Sequence, residues 1–328
     1  MHILITGATG FLGRAVAESL LRDRHAVRAA VRKVNASLPS EVEQVTIGSI
    51  DGGTNWGDAL RDVDVIVHCA ARVHMTRDAA SDPLVEFRRV NTDGTLHLAR
   101  QAVESNVKRL IFISTIGVNG SETADMPFTA ESPVFPNSAY AQSKWEAEEG
   151  LMALAAGGKM DIVVLRPPLI YGPNAPGNFA SLSRLVSRHF PFPFKGVANK
   201  RSFVAVDNVV SLIQCCLSHP GAANQIFLVS DGKDLSTEEF IRKIAVAYKK
   251  TPILLPFPQT LLRGIAKFLG KETQLQKIVG SLQVDIKKNA DVLNWHPVAE
   301  IEQVLAGGVL AGGVSRQHMA KQRSSSSP

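Results

Sequence analysis

Ile3-Leu4-Ile5-Thr6-Gly7-Ala8-Thr9-Gly10-Phe11-Leu12-Gly13 stands almost at the start of the chain and decides how the rest is read. The apolar, largely β-branched opening predicts a short buried strand. Gly7, Gly10 and Gly13 then punctuate a turn that leads into Arg14–Arg22, where Val16, Leu20 and Leu21 recur at helical spacing. Strand, glycine turn and helix in that order aim backbone N–H groups and the positive end of the helix dipole at a pyrophosphate, and the missing Cβ atoms allow close approach. A bound dinucleotide is the expectation. The spacing is G-x-x-G-x-x-G rather than G-x-G-x-x-G, and a tight strand-to-helix turn uses glycine for purely structural reasons too. The triad alone does not choose between these readings.

Composition sets the frame. A chain of 328 residues, 45% hydrophobic and 20% charged, is ordinary for a globular protein with a sizeable core. That length suggests about two domains. No apolar run approaches the ~18 residues of a membrane span. The N-terminus enters the first strand directly, so a cytoplasmic protein without a signal peptide is expected. Cys69 lies in an apolar stretch and Cys215-Cys216 are adjacent, a pattern of buried thiols rather than of disulfides or metal ligands. The net charge of +6 includes Arg316, Lys321 and Arg323 in a tail, 315–328, that has no acidic residue, so the body carries +3. A mildly basic body suits an anionic small substrate, and the Ser-rich end reads as disordered.

The second strand, Ala26–Val31, runs into Arg32-Lys33, where an adenosine ribose lies in a dinucleotide fold. A guanidinium there pairs with the 2′-phosphate of NADP, whereas an acidic residue would take the 2′-OH of NAD. Arg32, with Lys33 and Arg28 of the same sign, favours NADP, with NAD the alternative. Val63–Ala71 is the strand expected beside the first, and its small C-terminal residues Ala70 and Ala71 leave room for a cofactor. His68 and His74 flank that turn without a ligand cluster and are read as structural; no metal is expected. Phe87–Ala99 reads as one long helix, and Leu110–Ile113 as a buried strand capped by Ser114-Thr115. Strand and helix alternate, which argues for a doubly wound parallel α/β sheet with ligands at the strand C-termini. Thr115 stands at such an end.

A helix begins near Ser138, and on it Tyr140 and Lys144 share one face. A phenol is a poor acid or base near neutrality, but a neighbouring ammonium stabilises its phenolate and draws its pKa down. The Thr115 hydroxyl could hold a substrate oxygen beside that pair. Beyond Asp161–Leu165 the chain becomes richer in Pro and Phe, with Phe190-Pro191-Phe192-Pro193-Phe194 read as a rigid loop. Shorter elements follow, fitting a smaller mixed α/β substrate-binding domain.

Over roughly residues 1–305 the sequence resembles the extended short-chain dehydrogenase/reductases, in particular their sugar-nucleotide epimerase, dehydratase and reductase branch. The likeness rests on Thr6–Gly13, His68–Ala71, Val90–Thr95, Ser114-Thr115, Tyr140–Lys144, Leu165–Pro167, Ile170–Pro173 and Arg201–Asp207. It implies a Rossmann domain over 1–166, a substrate domain over 167–305 partly interleaved with it, a tail over 306–328, and a homodimer. It implies Tyr140 as catalytic acid/base, Lys144 on the nicotinamide ribose and Thr115 on the substrate oxygen. Cofactor contacts are implied at Gly7, Thr9, Gly10, Phe11, Leu12, Gly13, Arg32, Ser49, Ile50, Ala70, Ala71, Asn91 and Pro167, besides Tyr140 and Lys144. Asn178 and Arg201 are implied at the substrate diphosphate. Gly48-Ser49-Ile50 departs from the Gly-Asp-Leu or Gly-Asp-Ile of relatives beside the adenine.

Among the branch's reactions, 4,6-dehydration needs Asp-Glu after the threonine, where this chain has Ile116-Gly117. Epimerisation beside the keto group needs a cysteine and a histidine that are absent from Thr115–Val118 and Lys144–Gly150. Hydride transfer at C4 of a nucleotide sugar remains. Ile113–Gly120 and Asp82–Asn91 resemble a bacterial branch of the family, which implies reduction of a UDP-4-keto-6-deoxy-hexosamine for surface polysaccharide, with a UDP-hexose 4-epimerase as the alternative. A non-catalytic NADP-binding protein is a further reading. Nucleic acid is not an expected partner, since no aromatic stacking motif accompanies the basic residues.

Overall fold

The computed structural model describes residues 1–73, 82–268, 270 and 272–307. His74, Val309–Gly313 and most of the expected tail lie outside them. Residues 301–307 are helical, so the first two positions assigned to the tail still belong to a helix.

The chain opens β1 (His2–Thr6), α1 (Phe11–Arg22), β2 (Ala26–Val31), β3 (Glu43–Thr46), α2 (Gly57–Leu60) and β4 (Val65–His68). It continues α3 (Pro83–Phe87), α4 (Gly94–Glu104), β5 (Arg109–Ile113), α5 (Ala139–Ala155) and β6 (Asp161–Arg166). The second half holds β7 (Leu169–Tyr171), α6 (Gly177–Ser187), β8 (Phe192–Lys195), β9 (Phe203–Ala205), α7 (Val206–Cys216) and β10 (Gln225–Leu228). Last come α8 (Thr237–Ala247), β11 (Leu254–Pro256), α9 (Gln259–Phe268), α10 (Glu272–Val279) and α11 (Lys287–Leu293).

Seven strands form one sheet in the order β10-β6-β5-β4-β1-β2-β3, with every neighbouring pair parallel. This is a Rossmann-like α/β fold. The strand order reverses between β1 and β4, and in such sheets the ligand crevice opens at that switch point. β10 comes from the second half yet pairs with β6, and α7 packs on α1, so the two halves share the sheet.

Strand alternation sorts the core into two layers. Ile3, Ile5, Val65, Val67, Ile111, Ile113, Val163 and Leu165 face α1 and α7 in one cluster. Leu4, Ile66, Leu110, Phe112, Ile162 and Val164 pack with α2, α4 and α5 in the other. Both faces of the sheet are therefore dry, which is why its strands read as continuous apolar runs. Removing one such side chain, as in Ile66→Ala, costs about 2–5 kcal/mol. A third cluster, built on Tyr171, Phe179, Phe203 and Phe240, supports the second half; the Phe203 and Phe240 rings stack at 3.9 Å.

Two elements depart from the sequence reading. The expected helix Phe87–Ala99 is interrupted by a π-turn at Arg88–Asp93 between α3 and α4. The wider turn carries two consecutive polar side chains to one target: Asn91 Nδ2 donates to Ser143 Oγ at 3.0 Å, and Thr92 Oγ1 donates to the Ser143 carbonyl at 2.8 Å. The Phe190–Phe194 stretch is not a loop throughout, because Phe192–Lys195 forms β8 and pairs with β11. Pro193 is tolerated there because that sheet has only two strands and both are edges.

Candidate active site

Gly7 sits at the switch point with φ +71°. A Cβ on it would lie 2.8 Å from the Ala70 amide nitrogen. The same amide donates to Thr6 Oγ1 at 3.1 Å, and Thr6 Oγ1 lies 2.7 Å from His68 Nδ1. His68 Nε2 then meets Thr95 Oγ1 at 2.9 Å. Burial pushes the His68 pKa down to about 3, so the ring is a neutral link in this chain, as the structural reading of His68 expected. A Cβ on Gly13 would stand 2.3 Å from the Gly7 carbonyl oxygen, whereas one on Gly10 would meet only that oxygen, at 3.2 Å. Gly7 and Gly13 therefore close the turn, with the Gly10 amide donating to the Gly7 carbonyl at 2.9 Å, and Gly10 caps α1 at the positive end of the helix. A pyrophosphate fits that cradle. Thr9 is exposed and Phe11 half-buried, but Leu12 belongs to the core; of Leu12, only the backbone can face a ligand.

Around the C-terminal end of β2 the cations divide. Arg28, expected to add to the positive field, is consumed: it pairs with Glu43 at 2.8 Å and donates to the carbonyls of Ala59 and Arg61 at 3.2 and 2.5 Å. Arg32 and Lys33 are exposed. Arg14, which the sequence reading passed over, joins them from the first turn of α1, donating to Ser37 O and Oγ at 2.7 and 2.6 Å. Its signal was present as the residue directly after Gly13. Ser49 is exposed, and Ile50 packs on Gly94, where a Cβ would meet its Cγ2 at 2.7 Å.

Tyr140 lies in the first turn of α5, which Ser138 caps by accepting from the Ala141 amide at 3.2 Å. Gly117 fills the gap between Thr115 and α5: a Cβ there would stand 3.4 Å from Thr115 Oγ1 and 3.5 Å from Ala141 Cβ. Thr115 thus stands beside the turn that carries Tyr140, and its Oγ1 accepts from the Gly117 amide at 3.1 Å. The Lys144 ammonium is buried 3.8 Å over the Phe112 ring. Burial pushes Tyr140 up to about 12 and Lys144 down to about 7. The expected lowering of the phenol by the ammonium is thus not what this geometry gives; desolvation governs both groups.

Beneath them lies a buried polar network the sequence reading missed. Glu148 pairs with Arg166 at 2.5 Å, and Ser114 Oγ donates to the same carboxylate. Arg166 Nη1 donates to Asn119 Oδ1 at 3.0 Å. Glu148 follows Lys144 by one helical turn and opposes the effect of burial on its pKa. That spacing was the available signal.

Asn91, implied at the cofactor, is hydrogen-bonded within the protein. Its Oδ1 accepts from the Arg72 amide at 2.8 Å, and its Nδ2 donates to the Arg72 carbonyl and to Ser143 Oγ, both at 3.0 Å. Ser143 in turn donates to the Tyr140 carbonyl at 2.8 Å. Asn91 therefore fixes the start of α5 rather than offering an open polar group. Pro167 is buried and accepts from the Ile116 amide at 2.9 Å, which ties the Thr115 turn to the end of β6. Asn178 is exposed at the start of α6. Arg201 is largely buried and donates to the Gly280 carbonyl at 2.8 Å; among the described residues no hydrogen bond joins it to Asn178. A cavity of about 660 Å³ lies apart from Tyr140, between α6, α8 and Val304-Leu305.

Comparison with known proteins bears on this geometry. The family profile described as "NAD dependent epimerase/dehydratase family" matches residues 3–230. A Vibrio cholerae protein named UDP-glucose 4-epimerase is 43% identical over 304 residues, 92% of each chain. Two solved structures share the fold. A short-chain dehydrogenase/reductase superfamily protein from Agrobacterium tumefaciens with bound NAD has a TM-score of 0.76 at 21% identity, covering 98% of this chain and 99% of its own. A UDP-glucose 4-epimerase from Thermotoga maritima with UDP-glucose has a TM-score of 0.76 at 21% identity, covering 96% and 99%.

Proposed function

The chain belongs to the NAD dependent epimerase/dehydratase family, and from that premise we propose that it is a UDP-hexose 4-epimerase working through hydride transfer at C4. The likeness to the Vibrio cholerae relative, spanning almost the whole of both chains, carries this choice over the net reduction expected from the sequence.

In this proposal a bound nicotinamide supplies the hydride acceptor and donor, its pyrophosphate held by the Gly7–Gly13 turn. Tyr140 takes the proton from the C4 hydroxyl and returns it once the ketose has presented its other face. Thr115 Oγ1 accepts from the Gly117 amide, which orients the hydroxyl and leaves its proton to donate to the C4 oxygen. Lys144 binds the ribose and places positive charge near the phenol. Arg201 and Asn178 take the sugar diphosphate. Closing such a site strengthens each of these electrostatic contacts by excluding water.

One observation supports a second reading. Arg32 and Lys33 are exposed just after β2, where a 2′-phosphate would be met by cations, and NADPH suits net reduction of a 4-keto sugar better than a recycling epimerase. One experiment separates the two. UDP-glucose and UDP-N-acetylglucosamine are incubated with the protein and catalytic NAD, and a UDP-4-keto-6-deoxy-hexosamine with stoichiometric NADPH. Interconversion of C4 epimers without net cofactor turnover supports the first reading. NADPH consumption with no epimer formed supports the second.

A further inference from the structure

The sequence between Lys249 and Lys277 is apolar and one-sided in charge. Lys249, Lys250, Arg263, Lys267, Lys271 and Lys277 are its cations, and Glu272 is its only acid. In the structure this stretch runs from the end of α8 through β11 into α9 and α10. α9 turns Leu262 and the buried Ala266, one helical turn apart, towards the protein. Leu261 and Phe268, two turns apart on another face, point outward, 52% and 90% exposed. Just before the helix Ile253 and Leu255 are also exposed, as is Lys267 beside Phe268. A helix that is apolar on its outer as well as its inner face, within a cationic segment, is not explained by packing among the described residues.

We propose that the outer face of α9 docks on the surface of an anionic lipid bilayer. Leu261 and Phe268 enter the boundary between headgroups and acyl chains, and the surrounding lysines meet the lipid phosphates. Outward apolar side chains with exposed Lys267 next to them in the helix are the chemistry of interfacial adsorption, in which burial of apolar area and attraction to anionic headgroups add. Charge complementarity selects this occupant over a second copy of the chain, because two such faces would bring like charges together. No helix among the described residues is long and apolar enough to cross a membrane, so the contact is with the surface. The position also matters. α10 ends where the Gly280 carbonyl accepts from Arg201 Nη1 at 2.8 Å and from Asn199 Nδ2 at 2.9 Å. The Ile278 carbonyl accepts from the same Asn199 amide at 3.0 Å. A docked α9 would thus hold the Arg201 side of the molecule close to the bilayer. The proposal stands apart from the reaction at Tyr140.

The test is co-sedimentation of the full chain with vesicles of phosphatidylcholine alone or with a third phosphatidylglycerol, at low and high salt. We expect binding to the anionic vesicles only, weakened by salt. Phe268→Glu and Leu261→Glu should each reduce it at least tenfold, and Lys267→Gln less. Both apolar positions are exposed, so thermal stability and turnover of a water-soluble substrate should stay at wild-type level. Absence of binding to anionic vesicles at low salt would overturn the proposal. So would unchanged binding by Phe268→Glu, which would place the contact elsewhere in the chain. A wild-type dimer that Phe268→Glu converts to a monomer in sedimentation velocity, with no vesicle binding by either form, would make the face an interface between copies and also overturn it.

Discussion

Lys144 and Glu148 stand one turn apart on α5, both buried; burial drives the ammonium down to about 7, with the Glu148 carboxylate opposing that shift. Glu148 is itself anchored by Arg166 and Ser114. The charge on Lys144 is therefore supported from below, through the buried network of Glu148, Arg166 and Ser114.

Glu148→Gln should expose that support. Removing one member of a buried ion pair leaves Arg166 uncompensated and should cost about 3–5 kcal/mol in denaturant unfolding. In the protein that remains folded, Lys144 should lose its proton at lower pH, so the alkaline limb of the pH–rate profile should move to lower pH. An unchanged profile would show that Glu148 has only a structural part.

Lys144 should also leave a mark on stability. Its ordinary pKa is 10.5 and its folded value about 7, so between these pH values the unfolded chain binds more protons than the folded one. The burial penalty is then fully present below about pH 7 and is relieved as pH rises towards 10.5. We predict that Lys144→Met, measured without cofactor, melts higher than wild type at pH 6–7. The difference should shrink as pH approaches 10, while cofactor affinity and turnover are lost. Thermal melts across pH give the answer; a wild-type advantage at pH 6 would contradict it.

The β2 end makes a cofactor prediction. If Arg14, Arg32 and Lys33 meet a 2′-phosphate, NADPH binds more tightly than NADH. Arg32→Ala should then narrow the gap by the about 1.5–3 kcal/mol of a charge-assisted contact. Arg14→Ala should do the same, whereas Arg28→Ala should not, because Arg28 is spent on Glu43. Equal affinities in the wild type would remove the NADP reading.

Much of this was legible in the chain. The centre of the sheet was, because β1, β4, β5 and β6 are buried on both faces and almost wholly apolar, and so was the Gly7 turn, whose close approach to Ala70 only glycine permits. Tyr140, Lys144 and Thr115 could be picked out because residue type and spacing encode them. What could not be read was how polar groups are spent. Arg28 and Arg32 look alike in sequence, yet a partner on β3 neutralises only the first. The Asn91 partners Arg72 and Ser143 could not be read because they are distant in sequence. The π-turn at Arg88–Asp93 was hidden because its apolar spacing is that of a helix; only the polar side chains it redirects reveal it.

The central claim is that Tyr140 transfers the proton of the C4 hydroxyl. Tyr140→Phe removes one hydroxyl, so thermal stability and cofactor affinity should match wild type. In a single-turnover assay of UDP-glucose to UDP-galactose interconversion, the rate should fall by roughly the 10²–10⁴ of a positioned acid–base group. A Tyr140→Phe rate close to wild type would contradict both the mechanism and the placement of the site.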